Sequence, residues 1–217
     1  MPSACTLFFL AVLPAAGQEA AEANRHYETE SGRQQMLRSL SSPDRADQIQ
    51  AAKLVAGLDL KPGNTVVDLG AGAGVLLPYL SRAVGETGKV FAQDIQEDFL
   101  DAARRAAKEA GLTNVEYLQG TARDPWIPRG IADLIVTVDA YHHFDYPKDT
   151  LAGVWNGLKP GGRFVVVDYY KNGFRDPNHI RLDKPQVRLE IEAAGFRLVE
   201  DREHVPGAQY MLVFLKP

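Results

Sequence analysis

Residues 66–77 read Val-Val-Asp-Leu-Gly-Ala-Gly-Ala-Gly-Val-Leu-Leu, and few folds accept such a run. An apolar, β-branched stretch ends in an acid, glycine then takes every second position, and an apolar stretch of helical character follows. That pattern is strand, tight turn, helix. Glycines at 70, 72 and 74 open backbone conformations closed to other residues and let a ligand lie against bare main chain. The 217 residues, 45% of them hydrophobic, suffice for one domain built around this unit.

Spacing selects the ligand. The dinucleotide fingerprint Gly-x-Gly-x-x-Gly needs a third glycine where Val75 or Leu77 stands, so an NAD site fails on its own motif. What stands instead is Asp-x-Gly-x-Gly-x-Gly, from Asp68 to Gly74, and it resembles the first motif of class I S-adenosylmethionine (SAM) dependent methyltransferases. A zwitterionic methionine tail needs an acid near its ammonium and backbone donors near its carboxylate. An Asp at a strand end before a helix N-terminus helps to supply both. Leu-Lys-Pro-Gly-Gly at 158–162, before an apolar strand, is a second point of resemblance, and a closing hairpin at 196–205 and 209–215 is a third. The resemblance spans roughly residue 43 to the C-terminus. It implies an α/β, doubly wound, Rossmann-like seven-stranded sheet of order 3-2-1-4-5-7-6 with an antiparallel last strand.

Residues 89–95 read as the second strand and carry Asp94, about 20 residues past Gly74, where a second-strand acid meets a ribose in doubly wound nucleotide folds. Apolar residues at 99, 100, 103, 107 and 110 make an amphipathic helix that Gly111 ends. After a third strand at 115–119, Gly120-Thr121-Ala122 resembles the segment that usually reads Gly-Asp-Ala and closes over adenine. Thr121 replaces the acid, and either its hydroxyl or Asp124 is the acceptor for the adenine amine. Trp126 reads equally as a plug beneath this loop or as a face for the purine. By the same resemblance Asp68, Gly70, Ala71, Gly72 and Gly74 hold the methionine end, and Asp94 the ribose. Ile95, Thr121 and Ala122 lie at the adenine, and the Asp139 backbone meets the ammonium.

Strand four, at 132–140, is almost continuously apolar, as a central parallel strand buried on both faces should be. It runs into Asp139-Ala140-Tyr141-His142-His143-Phe144, at the carboxyl edge where open α/β sheets bind ligands. Tyr141, His142 and His143 are therefore the catalytic candidates facing the acceptor, with a histidine suited to act as general base. Consecutive side chains diverge, so one of the two histidines is expected to be structural. Asp168, Tyr169 and Tyr170 emerge at the same edge, as acceptor lining or as packing. Residues 147–158 read as a helix with Leu151, Val154, Trp155 and Leu158 on one stripe, and residues 171–181 as a loop over the site. A last helix begins at Asp183, with Val187 and Ile191 buried.

At the other end, an apolar run at 7–13 precedes Pro14-Ala15-Ala16-Gly17, the shape of a signal peptide, too short to span a bilayer. No Lys or Arg precedes that run. The expected division is a signal peptide at 1–17, a helical leader or lid at 18–42, and the methyltransferase domain at 43–217. A cleaved leader implies a periplasmic or secreted protein, an uncleaved one a cytoplasmic protein. Tyr27 and Arg33 fall in the segment that folds over the cofactor in many small methyltransferases, and a helix from Pro43 is expected to present Ile49, Ala52 and Ala56 on one face. Cys5 is the sole cysteine, which excludes a disulfide framework and a Cys-based zinc site. A net charge of −4 without a basic stripe disfavours nucleic acid as partner and favours a small-molecule acceptor.

The leading reading is SAM-dependent methyl transfer to a small molecule by in-line displacement, with no metal and little needed beyond positioning. Two alternatives stay open. One is a metal-assisted O-methyltransferase in which Asp139 and Asp168 chelate a hard divalent cation, with Asn172 as third partner. The other is an exported SAM- or nucleoside-binding protein without transferase activity.

Overall fold

The computed structural model describes residues 18–217, so the expected signal peptide lies outside the described residues. Seven strands form one sheet: β1 (Thr65–Leu69), β2 (Lys89–Asp94), β3 (Val115–Gln119), β4 (Ala132–Val138), β5 (Leu158–Tyr169), β6 (Arg197–Val205) and β7 (Gln209–Leu215). Their order is β3-β2-β1-β4-β5-β7-β6, the order that the resemblance implies. The first five strands pair in parallel, and β7 runs antiparallel between β5 and β6.

Eight α-helices are described: α1 (Ala21–Asn24), α2 (Glu30–Leu40), α3 (Arg45–Gln48), α4 (Ala51–Ala56), α5 (Leu77–Val84), α6 (Glu97–Glu109), α7 (Pro147–Gly157) and α8 (Lys184–Ala193). They cover both faces of the sheet because successive strand residues point to opposite sides. On one side Val66, Leu134 and Val165 pack with Leu54 of α4, Leu80 of α5 and Ala103 of α6. On the other, Val67, Ile135 and Phe164 pack with Leu151 and Val154 of α7 and with Val187 and Ile191 of α8. No helix among the described residues is long and apolar enough to cross a membrane.

Two local expectations are corrected. The helix from Pro43 breaks at Gln50, whose φ of 47° is left-handed, and the break re-aims the next turn. The buried residues are consequently Ile49, Ala51, Leu54 and Val55, while Ala52 and Ala56 face solvent. Strand β5 starts at Leu158, before the Pro-Gly-Gly turn rather than after it. Leu158 pairs with Ala132 and Arg163 with Leu134, so the intervening residues bulge. The bulge is held by the chain end, since Gly161 N–H donates to Lys216 O and Lys216 N–H to Gly162 O, each at 2.9 Å.

Candidate active site

Strands β1 and β4 are neighbours whose connections leave the sheet in opposite directions, and a cavity of about 280 Å³ opens beyond their carboxyl ends. The turn after β1 contributes Asp68, Gly70, Ala71 and Gly72 to its wall. Asp94 and Ile95 enter from the end of β2, Thr121 and Ala122 from the turn after β3, and Asp139 and His143 from the end of β4. The leader roofs it with Asn24 and Tyr27, whose ring meets Phe99 edge-on at 5.9 Å and His143 at 5.1 Å. Arg33 pins this roof from outside, donating to Asp98 of α6 and to Tyr27 O, both at 3.1 Å.

The glycines divide the work between cavity and packing. Gly70 and Gly72 have φ of 78° and 54° and lie on the wall. Gly74 does not reach the cavity: a Cβ there would stand 2.7 Å from Leu77 Cδ1 and 3.0 Å from Ala103 Cβ, so this glycine lets α6 close on the turn. Its place among the ligand-holding residues is thereby corrected.

Two buried acids face each other across the turn. Asp68 accepts no hydrogen bond among the described residues, and burial, followed by the charge of Asp94, pushes its carboxyl up to about 7. Asp94 accepts from Gly72 N at 2.9 Å and Gln96 N at 3.0 Å. Burial still pushes it up to about 6 against those donors. Gln93, also on the wall, has a buried Nε2 with no partner among the described residues. At the next turn the Thr121 hydroxyl caps its own loop, accepting from Asp124 N at 3.0 Å. Trp126 is neither plug nor purine face: it is 61% exposed and off the wall, and Pro125 lines the cavity instead.

The Tyr-His-His segment splits three ways. Tyr141 is fully buried beside α8, its hydroxyl donating to Glu190 Oε1 at 2.6 Å, so its role as an acceptor-facing residue is corrected to that of an anchor. His142 is also buried and off the cavity wall. Its backbone N–H donates to Asp168 Oδ2 at 2.9 Å, and its Nδ1 meets Asp168 Oδ1 at 2.7 Å. Burial opposes charge on this ring, but Asp168 outweighs it and the pKa is raised. His143 alone of the three lines the cavity, and burial, with His142 and His179 beside it, holds its pKa well below the usual value. Asp168, Tyr169 and Tyr170 stay off the wall.

Asp139 sits at φ 53°, a left-handed position costly for a non-glycine residue, and the surroundings hold it there. Its N–H donates to Val167 O at 2.9 Å, and its carboxylate accepts from Arg45 at 2.7 Å and from Gln209 at 2.6 Å. Burial raises the Asp139 carboxyl despite Arg45, whereas Asp139 and Tyr169 outweigh the burial of Arg45 and raise the guanidinium. The 2.7 Å contact between side chains 13% and 6% exposed makes them a charged pair. Asp139 and Asp168 already accept from protein donors, Asp139 from Arg45 and Gln209 and Asp168 from His142, and Asn172 is exposed.

Sequence reading missed Arg45, Asn24 and Gln93 as wall residues. Asp145 is 7% exposed and has an Oδ1 without a partner among the described residues. An isolated asparagine in a polar leader, or an arginine just past a proline cap, carries no sequence signal for such a role, whereas Asp145 directly follows Phe144 and belongs to the polar cluster at 139–145.

Residues 66–162 match the family described as "Methyltransferase domain". A ubiquinone/menaquinone biosynthesis C-methyltransferase UbiE from Escherichia fergusonii is 36% identical over 113 residues, 52% of this chain and 45% of that protein. UbiE from Vibrio vulnificus is 35% identical over 118 residues, 54% of this chain and again 45% of the relative. The chain thus spans about half the length of the curated relatives it matches. A crystal structure of a SAM-dependent methyltransferase from Aquifex aeolicus superposes with a TM-score of 0.79 at 30% identity, covering 84% of this chain and 98% of that one. The chain belongs to the class I SAM-dependent methyltransferases.

SAM is the cofactor of that family, and the residues present fit it. The methyltransferase cradle holds two buried carboxylates with raised pKa values, which suits a ligand bearing an ammonium and a sulfonium. Bare backbone at Gly70 and Gly72 and the unpartnered Nε2 of Gln93 supply room and a donor beside it.

Proposed function

We propose that this methyltransferase moves the methyl group of SAM by in-line displacement to a carbon of a small aromatic acceptor of the quinone-precursor class. The observation that carries the transfer is one cavity whose wall joins the acidic, glycine-lined cradle to Tyr27, Phe144, His143 and Asp145. The names of the UbiE relatives support carbon as the methylated atom. SAM supplies a methyl group already activated on a sulfonium. Asp68 takes the ammonium, the turn at Gly70 and Gly72 the carboxylate, and Asp94 the ribose, whose hydroxyls meet the lone pairs left by its two backbone bonds. Ile95, Thr121 and Ala122 border the adenine. The leader excludes water, and Tyr27 and Phe144 orient a flat ring behind the methyl group. Asp145 accepts the ring proton at its unpartnered Oδ1.

Calorimetric titration of the purified chain with SAM and with its demethylated product tests the cradle, and micromolar binding of both is expected. Phenolic and quinol rings incubated with trideuteromethyl-SAM should then gain the label on carbon, read by mass spectrometry and NMR. Asp145→Asn should lower kcat by about 10²–10⁴ with SAM affinity unchanged. Label on oxygen, nitrogen or sulfur would overturn the acceptor class, and a folded chain that binds neither cofactor form would overturn the whole reading.

A further inference from the structure

Behind His143, away from the SAM cradle, the fold gathers a third histidine that no spacing in the sequence connects to the first two. His179 comes from the segment between β5 and α8, and its ring lies 5.1 Å from those of both His142 and His143, which are themselves 4.1 Å apart. Each offers a ring nitrogen within 4.8 Å of the other two. We propose that His142, His143 and His179 bind a late first-row divalent cation, zinc being the best fit.

The orientation of the rings carries the argument further than their closeness. Nδ1 of His142 faces the Asp168 carboxylate, an acceptor only, so that nitrogen carries the proton and Nε2 presents its lone pair. Asn24 does the same for His143. Its Nδ2 donates to His143 O at 2.9 Å, which turns its Oδ1 to accept from His143 Nδ1 at 2.9 Å. A carboxylate or amide oxygen behind the outer nitrogen of an imidazole is the arrangement that fixes the tautomer of metal-binding histidines. His179 is held by stacking on Phe174, with ring centroids 5.1 Å apart and planes 17° from parallel, and no side-chain hydrogen bond engages its ring among the described residues. Since it is only half-buried on a segment of irregular backbone, its ring can rotate to bring the three nitrogens to Zn–N bonds of about 2.0–2.1 Å.

The donor set selects the ion. Magnesium and calcium demand oxygen ligands, and none of the three side chains provides one. Three imidazoles suit zinc, cobalt, nickel or copper. A bound ion would tie the segment after β5 to the turn after β4, stapling His179 to a turn that lies on the cavity wall through His143. The site does not depend on the identity of the methyl acceptor.

The test uses the full chain, stripped with a chelator and titrated with zinc against a chromophoric competitor, and in parallel with cobalt. One zinc per chain at micromolar affinity or tighter is expected, together with the visible absorption of four-coordinate cobalt. His179→Ala should weaken zinc binding at least tenfold and abolish the cobalt bands, and Asn24→Ala should weaken it about 10–100-fold. Failure to bind zinc stoichiometrically, or equal binding by His179→Ala, would reduce the cluster to aromatic packing. SAM titration of the stripped chain separates the two readings: a chain that binds SAM yet takes up no zinc overturns the metal site alone, and one that takes up zinc yet binds no SAM overturns the cofactor reading alone.

Discussion

Asp68 is where burial and function meet in a single side chain. The unfolded chain loses the proton of this carboxyl near 3.8, whereas the fold keeps it up to about 7. A raised carboxyl binds protons that the unfolded state has already released, so the native state loses stability as pH rises from about 4 to about 7. A cationic ligand reverses that loss by favouring the carboxylate. SAM affinity should therefore rise with pH between about 5.5 and 8, with proton release on binding, and Asp68→Asn should flatten the profile. Calorimetry in two buffers of different ionisation enthalpy measures both, and an unchanged profile in the variant would move the effect to Asp94. This residue was legible before the structure because a strand-end acid before a glycine turn is a local pattern. The partnerless environment that gives it a raised pKa was not, since it arises where β1 and β2 lie side by side.

Among the elements, the short helix α3 illustrates what periodicity hides. Residues 43–56 looked like one amphipathic helix, and the left-handed Gln50 divides it, placing Arg45 over the end of β4 instead of in solvent. Arg45→Ala leaves Asp139 buried at a left-handed φ without its cationic partner, with Gln209 and Tyr169 still bonded to the carboxylate. The expected loss is about 3–5 kcal/mol by chemical denaturation, the cost typical of breaking a buried pair from one side. Pairing that change with Asp139→Asn should recover part of the loss, and a strictly additive double variant would show that the two groups do not interact. The longer elements obeyed their patterns. Strand β4 and helices α6 and α8 buried the residues that their spacing marked, with only Ala110 of the α6 stripe left exposed, because packing on a sheet face reads the same periodicity as the sequence.

For the molecule as a whole, the succession of strands and helices was legible because each βα unit is announced by its own turn, whereas the order of the strands came from the family resemblance. The acceptor side was not legible. Asn24, Arg45, His143 and His179 come from the leader, the broken helix and two separate connections, and only the closed fold brings them near one another. The leader is the feature with the widest consequence. It is attached by a few polar clasps, Asn24 to His143, Arg33 to Asp98, and Glu19 to both Asp145 O and Arg181. Were demethylated cofactor to leave only when these clasps part, each turnover would sweep the leader through solvent. Turnover then has a hydrodynamic component: kcat should fall as sucrose raises the viscosity, and Arg33→Ala should blunt that dependence while increasing the rate of product escape. A kcat indifferent to viscosity in both proteins would place the slow step in the methyl transfer itself. On this view the first residues of the described chain act as the enzyme's clock.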